Sequence, residues 1–178
     1  MKDGMSDIRL VPSVVSGDPS DRRSIITAAS IPAKRLGIRT ADPVSMALRK
    51  CPGLVIVKGD WEWYRICSRG FIEICRSYSP VLQQFSIDEC FIDMTMRNWG
   101  EDPTAVAARL KDEIKDKLGF TVNVGIGPNK LLAKMASDFQ KPDLVHALFS
   151  YEIEEKMWPL TTDNLFMCGQ SSVEVLRK

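Results

Sequence analysis

The amino-acid sequence predicts an α+β fold built around a split βαββαβ unit whose first strand is missing from the pattern. Three observations lead there. From Asp60 onward the hydrophobic periodicity reads helix, strand, strand, helix, strand, which is that unit short of one strand. The second helix is unambiguous, with Val106, Leu110, Ile114 and Leu118 at every fourth position between an Asp102-Pro103 start and a Gly119 stop. Finally, 178 residues, 44% hydrophobic and 26% charged, make a globular composition able to fill one sizeable core or two small ones.

Taken in order, IRLVPSVVSGDP and SIITAAS read as short β-rich runs around a turn at Gly17-Asp18-Pro19. Two small helices follow, the first capped by Ser30 and stopped at Gly37, the second capped by Asp42 with Pro43 in its first position. LVIV, residues 54–57, is a short strand. Trp61, Tyr64, Ile72, Cys75 and Tyr78 suit a long helix that Ser79-Pro80 ends. Residues 81–95 are strand-like on both sides of Asp88-Glu89, and FTVNVGIG is a strand entering a helix from about Asn129 to Phe139. Beyond Lys141-Pro142 the pattern weakens to a short helix near 151–157 and another starting at Ser171. The sheet needs an upstream strand, and LVIV or residues 8–15 could partly fill that gap.

Composition excludes several chemistries. No run approaches the ~20 apolar residues of a membrane span, and MKDGMSDIRL lacks the apolar centre of a signal peptide, so a cytoplasmic location with no membrane partner is expected. Five cysteines without a C-x-x-C favour buried free thiols over disulfides or zinc. A single histidine, His146, argues against His-rich metal centres and a Ser-His-Asp triad. With a net charge of +1, any nucleic-acid role must rest on local patches.

FSIDECFIDMT, residues 85–95, sets two acids inside a strand-like run, where strands select against them. On an uninterrupted strand Asp88 and Glu89 would point to opposite faces. A hairpin bend at the pair instead puts both carboxylates at one solvated end, either as a plain hairpin tip or as oxygen ligands for Mg²⁺ and substrate phosphates. Asp93, four residues further on, would lie ~13 Å from that tip and is expected to be structural. A two-metal site would need another carboxylate from a neighbouring strand.

GIGPNKLLAK, residues 125–134, is neither a Walker A loop nor a dinucleotide fingerprint. What remains is a strand entering a helix N-terminus with Lys130 in the first turn, a place attractive to phosphate. Leu131, Leu132, Met135, Ala136 and Phe139 form the expected buried stripe. Lys130, Lys134 and Asp138 share another face, which reads as a solvated lysine face or as one side of an anion site shared with the acid hairpin.

SIDECFID, VGIGPNKLLAKMASDFQKP about 30 residues later and AKRLGIRT…ALRKCPGLVIV before it together resemble the Y-family (translesion) DNA polymerases, with the UmuC/DinB-like bacterial members closer. The resemblance covers roughly residues 14–176. It implies fingers at 12–60, a palm with the split, ferredoxin-like βαββαβ sheet at 61–138, and the start of a helical thumb at 139–178. It further implies that Asp88 and Glu89 form the catalytic, Mg²⁺-binding pair. Lys130 and Lys34 would contact the triphosphate of an incoming dNTP, while Lys134, Gly169, Ser171 and Ser172 would lie against primer-template DNA. The implied reaction is attack of a primer 3′-hydroxyl on the α-phosphate, in which positioning and charge neutralisation dominate.

The sequence departs from the family's pattern at both ends. MKDGMSDIRLVP carries neither the hydrophobic strand with a metal-binding Asp nor the aromatic pair expected there. Ile31 stands where many members have a triphosphate-contacting Tyr, and Met167 where the first glycine of the thumb's G-x-G hairpin is expected. By this resemblance the chain is expected to stop short of the C-terminal little finger, and a sliding clamp or recombinase filament, if used as a partner, would be met through regions outside these residues. The expected molecule is a truncated translesion polymerase core with little activity alone. The alternatives are a non-catalytic DNA-binding or regulatory remnant, and a palm-type nucleotide cyclase, against which the fingers-like segment 16–57 argues.

Overall fold

The structure, a computed structural model, describes residues 7–18, 21, 23–95 and 100–177. The chain divides into two compact units, with the boundary after Glu62.

The first unit opens with a single 3₁₀ turn, Ile8–Leu10, and then β1 (Ser13–Ser16), β2 (Ile26–Ala29), α1 (Ile31–Arg35), α2 (Val44–Lys50) and β3 (Val55–Lys58). β1 is the central strand, antiparallel to β2 and parallel to β3. Val14, Ile26, Ala33, Ile38, Val44, Ala47 and Leu54 form its core. Ser30 caps α1 as expected, its hydroxyl accepting the Ala33 N–H at 3.2 Å, and Gly37 follows with φ +75°. Part of the turn expected at 17–19 lies outside the described residues, because Pro19 is not among them.

Two expectations for this unit are corrected. Asp42 does not cap α2. Its carboxylate accepts the Arg39 N–H at 3.0 Å and the Lys50 ammonium at 3.0 Å, and Pro43 takes the cap position with no side-chain bond. Nor do LVIV and residues 8–15 complete a second sheet, since β3 and β1 satisfy each other here.

The second unit contains α3 (Trp61–Tyr78, entered from the first unit), β4 (Leu82–Gln84), β5 (Cys90–Ile92), α4 (Pro103–Leu118), β6 (Val124–Ile126) and α5 (Lys130–Asp138), in the expected order. The sequence did not predict β7 (Val145–Ala147), whose three residues include His146 and give no readable period. Tight 3₁₀ and π turns occupy 150–157, and α6 (Gln170–Leu176) closes the described chain. No helix among the described residues is long and apolar enough to cross a membrane.

The buried face of α3 begins at Phe71; Trp61, expected on that face, is 63% exposed. Phe71, Ile72, Ile74, Cys75 and Tyr78 meet Val106, Leu110 and Ile114 of α4, and Leu82, Cys90 and Ile92 pack against this cluster. A separate cluster places Leu132, Met135 and Ala136 of α5 over Leu148, with Phe139 and Phe166 beside it. Asn123 ties the end of α5 to the following turn. Its amide donates to Ser137 O at 3.1 Å and Gln140 O at 2.8 Å, and its oxygen accepts the Leu144 N–H at 3.2 Å.

The strands of this unit make two separate pairs, antiparallel β4-β5 and parallel β6-β7. Phe85 N–H to Glu89 O and Asp93 N–H to Val81 O set the inward-bonded positions of the hairpin, so the amides of Cys90 and Ile92 face away from β4. Val124 N–H to Leu144 O and Leu148 N–H to Ile126 O likewise turn the backbone of Gly125 away from β7. Among the described residues no strand bonds to these outer flanks of β5 and β6.

Tyr78 joins α3 to α4 by donating its hydroxyl proton to Glu113 Oε2 at 2.8 Å. Burial, helped by the Glu113 charge, raises its ionisation from 10 to about 12. A raised folded-state value favours the protonated form in the fold, so this contribution is complete below pH ~10 and is lost as pH rises towards 12. In a 295 nm titration, the phenolate signal that Tyr78→Phe removes is expected to develop towards pH 12. A Tyr78 component that titrates near pH 10 would contradict this packing.

Candidate functional site

The acid pair sits at the end of the β4-β5 hairpin, as the bend required. Phe85 and Ser86 N–H both donate to Glu89 O, at 2.9 and 3.1 Å, closing the turn. Ser86 then folds over it, its hydroxyl donating to Asp88 Oδ1 at 2.6 Å. Asp88 is exposed and Glu89 half-buried.

Strand alternation sorts the hairpin's two faces. Leu82, Cys90 and Ile92 turn inward to α3 and α4. Gln83, Phe85, Glu89 and Phe91 belong to the opposite face, where Phe85 and Phe91 stack edge-to-face with centroids 5.8 Å apart. The lysines of α5 reach this second face. Lys130 donates to Gln83 Oε1, and Lys134 donates to Glu89 Oε1 at 2.5 Å. The glutamate is therefore accepted in a β hairpin because a cation on a neighbouring helix meets it, whereas the aspartate lies in the turn beside water.

Lys134 is the most constrained of these groups. Its side chain is 14% exposed, Asp138 lies 3.3 Å away, and the ammonium sits 5.6 Å from the centre of the Phe166 ring. Burial pulls its ionisation down, but Glu89 and Asp138 outweigh this and leave it above the usual value for lysine. Lys134, expected against primer-template DNA, has its charge turned to two carboxylates in this structure. Phe166, which also meets Phe85 at 6.1 Å, is a site residue that sequence reading missed. Its neighbours lie far away in the chain, and no local pattern announces them.

Two glycines place the helix. A Cβ on Gly125 would come within 1.9 Å of Ala133 O and 2.5 Å of Ser137 N, and one on Gly127 within 2.6 Å of Ala133 N. The G-I-G run thus lets α5 lie directly on β6, bringing Lys130 and Lys134 to the hairpin. Asn129 caps the helix by accepting the Leu132 N–H at 2.9 Å.

The remaining predicted residues are placed elsewhere. Asp93 is structural, as expected: Ser79 Oγ donates to its carbonyl at 2.7 Å. The Thr95 hydroxyl and N–H hold its carboxyl below the usual range, and the Lys130 charge adds to this. Lys34 is exposed on α1 in the first unit. Gly169 precedes α6, with Ser171 and Ser172 exposed in its first turn. Met167 adopts φ +64°, a left-handed conformation suited to the glycine expected there. Among the described residues no three His, Cys, Asp or Glu side chains cluster as metal ligands.

Comparison with known proteins defines the class. The model of the impB/mucB/samB family matches residues 4–138, and the chain belongs to that family. DNA polymerase IV of Clostridium acetobutylicum is 44% identical over 165 residues, covering 93% of this chain and 42% of that protein. The DNA polymerase IV of Alkaliphilus oremlandii is 35% identical over 167 residues, covering 93% of this chain and 42% of that protein. The chain thus spans about two fifths of the length of these curated relatives. Among solved structures, DinB from Sulfolobus solfataricus matches with a TM-score of 0.85 at 27% identity, over 94% of this chain and 49% of that one. An insertion ternary complex of Dbh DNA polymerase matches at 0.83 and 25% identity, over 93% and 49%.

Proposed function

We propose that this chain is the catalytic-core portion of a Y-family translesion DNA polymerase, acting in DNA damage tolerance by Mg²⁺-dependent, templated nucleotidyl transfer from a dNTP to a primer 3′-hydroxyl. The first unit corresponds to fingers, and the second to palm with the start of a thumb. One observation carries the reading: an acid pair at the exposed end of a hairpin whose outer face meets the lysine helix, in a chain of this family.

The donor set suits Mg²⁺, because Asp88 and Glu89 offer hard carboxylate oxygens and the exposed tip leaves room for water and phosphate. When bound, the ion would neutralise charge on the triphosphate. Lys130 exchanges Gln83 for a phosphate oxygen at the start of α5, where unpaired N–H groups already favour an anion. In this reading Lys34 of the first unit would contact a dNTP triphosphate, and Gly169, Ser171 and Ser172 would hold a DNA phosphate. Only two carboxylates stand at the tip among the described residues, short of what a two-ion site requires.

The 178-residue chain alone is accordingly expected to give no robust primer extension with Mg²⁺ and dNTPs. Fusing an upstream strand that carries an aspartate should produce extension, and Asp88→Asn in the fused chain should abolish it. An inactive but folded fusion would instead favour a non-catalytic DNA-binding remnant, a reading supported by the Lys134 ammonium already neutralising Glu89. Salt-sensitive primer-template binding without chemistry is its signature.

A further inference from the structure

We infer that Lys134 is a built-in counter-ion for Glu89, holding the carboxylate in place and competing with a divalent cation for the same oxygen; this rests on the metal-binding reading of the acid pair. The two carboxylates of the tip are held differently. Among the described residues Asp88 is held within its turn, by Ser86. The Oε1 atom of Glu89 already accepts a proton of the Lys134 ammonium at 2.5 Å, so a metal ion approaching that oxygen would have to displace it.

Lys134 is also built to let go. An ammonium has three protons to donate, and Asp138 at 3.3 Å and the Phe166 ring at 5.6 Å remain as partners when Glu89 is withdrawn. The lysine would therefore stay beside the site with its charge compensated. The outcome is an acid pair kept ordered without metal, with its cation affinity set by how readily Lys134 exchanges Glu89 for Asp138.

Mn²⁺ binding to the whole 178-residue chain, followed by the loss of the free-ion EPR signal, tests this without any need for polymerase activity. Lys134→Met is expected to tighten Mn²⁺ binding about tenfold, the equivalent of a partly buried ion pair. Lys134→Arg, which keeps the charge, should stay near wild type. Lys117→Met removes an exposed charge paired with Glu113 at 2.6 Å, away from Asp138, and controls for general electrostatics; a change under about twofold is expected. Equal or weaker binding in Lys134→Met than in wild type overturns the counter-ion role, as does an equal gain in Lys117→Met. If Glu89→Gln leaves Mn²⁺ binding intact, the metal-binding reading itself falls, and the inference with it. A melting temperature lowered in Lys134→Met with unchanged Mn²⁺ affinity would make the lysine merely structural.

Discussion

Gly125→Ala is expected to destabilise the second unit by about 3 kcal/mol or more, at the upper end of what overpacking does. The added methyl would stand 1.9 Å from Ala133 O and 2.5 Å from Ser137 N. Both obstacles are backbone atoms of α5, so no side chain can rotate away and the helix itself must lift. Lys130 and Lys134 move with it, which loosens their bonds to Gln83 and Glu89. Urea denaturation followed by far-UV circular dichroism reads the loss. Gly53→Ala is the control: its methyl would meet no atom within 4 Å, and the expected change is within about 0.5 kcal/mol. Equal midpoints for the two variants would mean that α5 does not lie on β6 as described.

Ile114→Ala is expected to remove roughly 3 to 4 kcal/mol. Ile114 is 1% exposed and lies in the cluster shared by α3 and α4, against which Leu82, Cys90 and Ile92 of the hairpin pack. Truncation removes three carbons and leaves a cavity that two rigid helices cannot close. Ile114→Val, lacking one carbon, should lose about 1 kcal/mol. The ratio of the two losses is informative, because a site able to collapse would bring both close to the bare transfer value of about 0.8 kcal/mol per carbon. Because this cluster seats β5, the truncated variant should also weaken protection of the Asp93 amide, which donates to Val81 O at 2.9 Å, in hydrogen exchange.

Local chemistry made much of this architecture legible. The Asp102 cap, whose carboxylate accepts the Ala105 N–H at 3.2 Å, and Gly119 with φ +75° mark the ends of α4 as the sequence suggested. The hairpin bend was legible as the condition for the acid pair to act together, since two adjacent acids cannot share a face of an unbroken strand. The unread parts depend on distant contacts. Asp42 has the right chemistry for a cap but is drawn off by Lys50, and β7 exists because β6 needs a partner. Lys134 illustrates the same limit: helix spacing showed its neighbour Asp138, while Glu89, 45 positions away, became visible only when β6 and α5 were packed.

The flanks of β5 and β6, to which no strand bonds among the described residues, also bear on how this chain behaves at high concentration. Each offers backbone donors and acceptors with no protecting proline in the strand, and an extended segment of another copy could zip onto them. The strands are three residues long, so such a contact gains only a few hydrogen bonds and forms reversibly. Sedimentation should therefore show weak, concentration-dependent association.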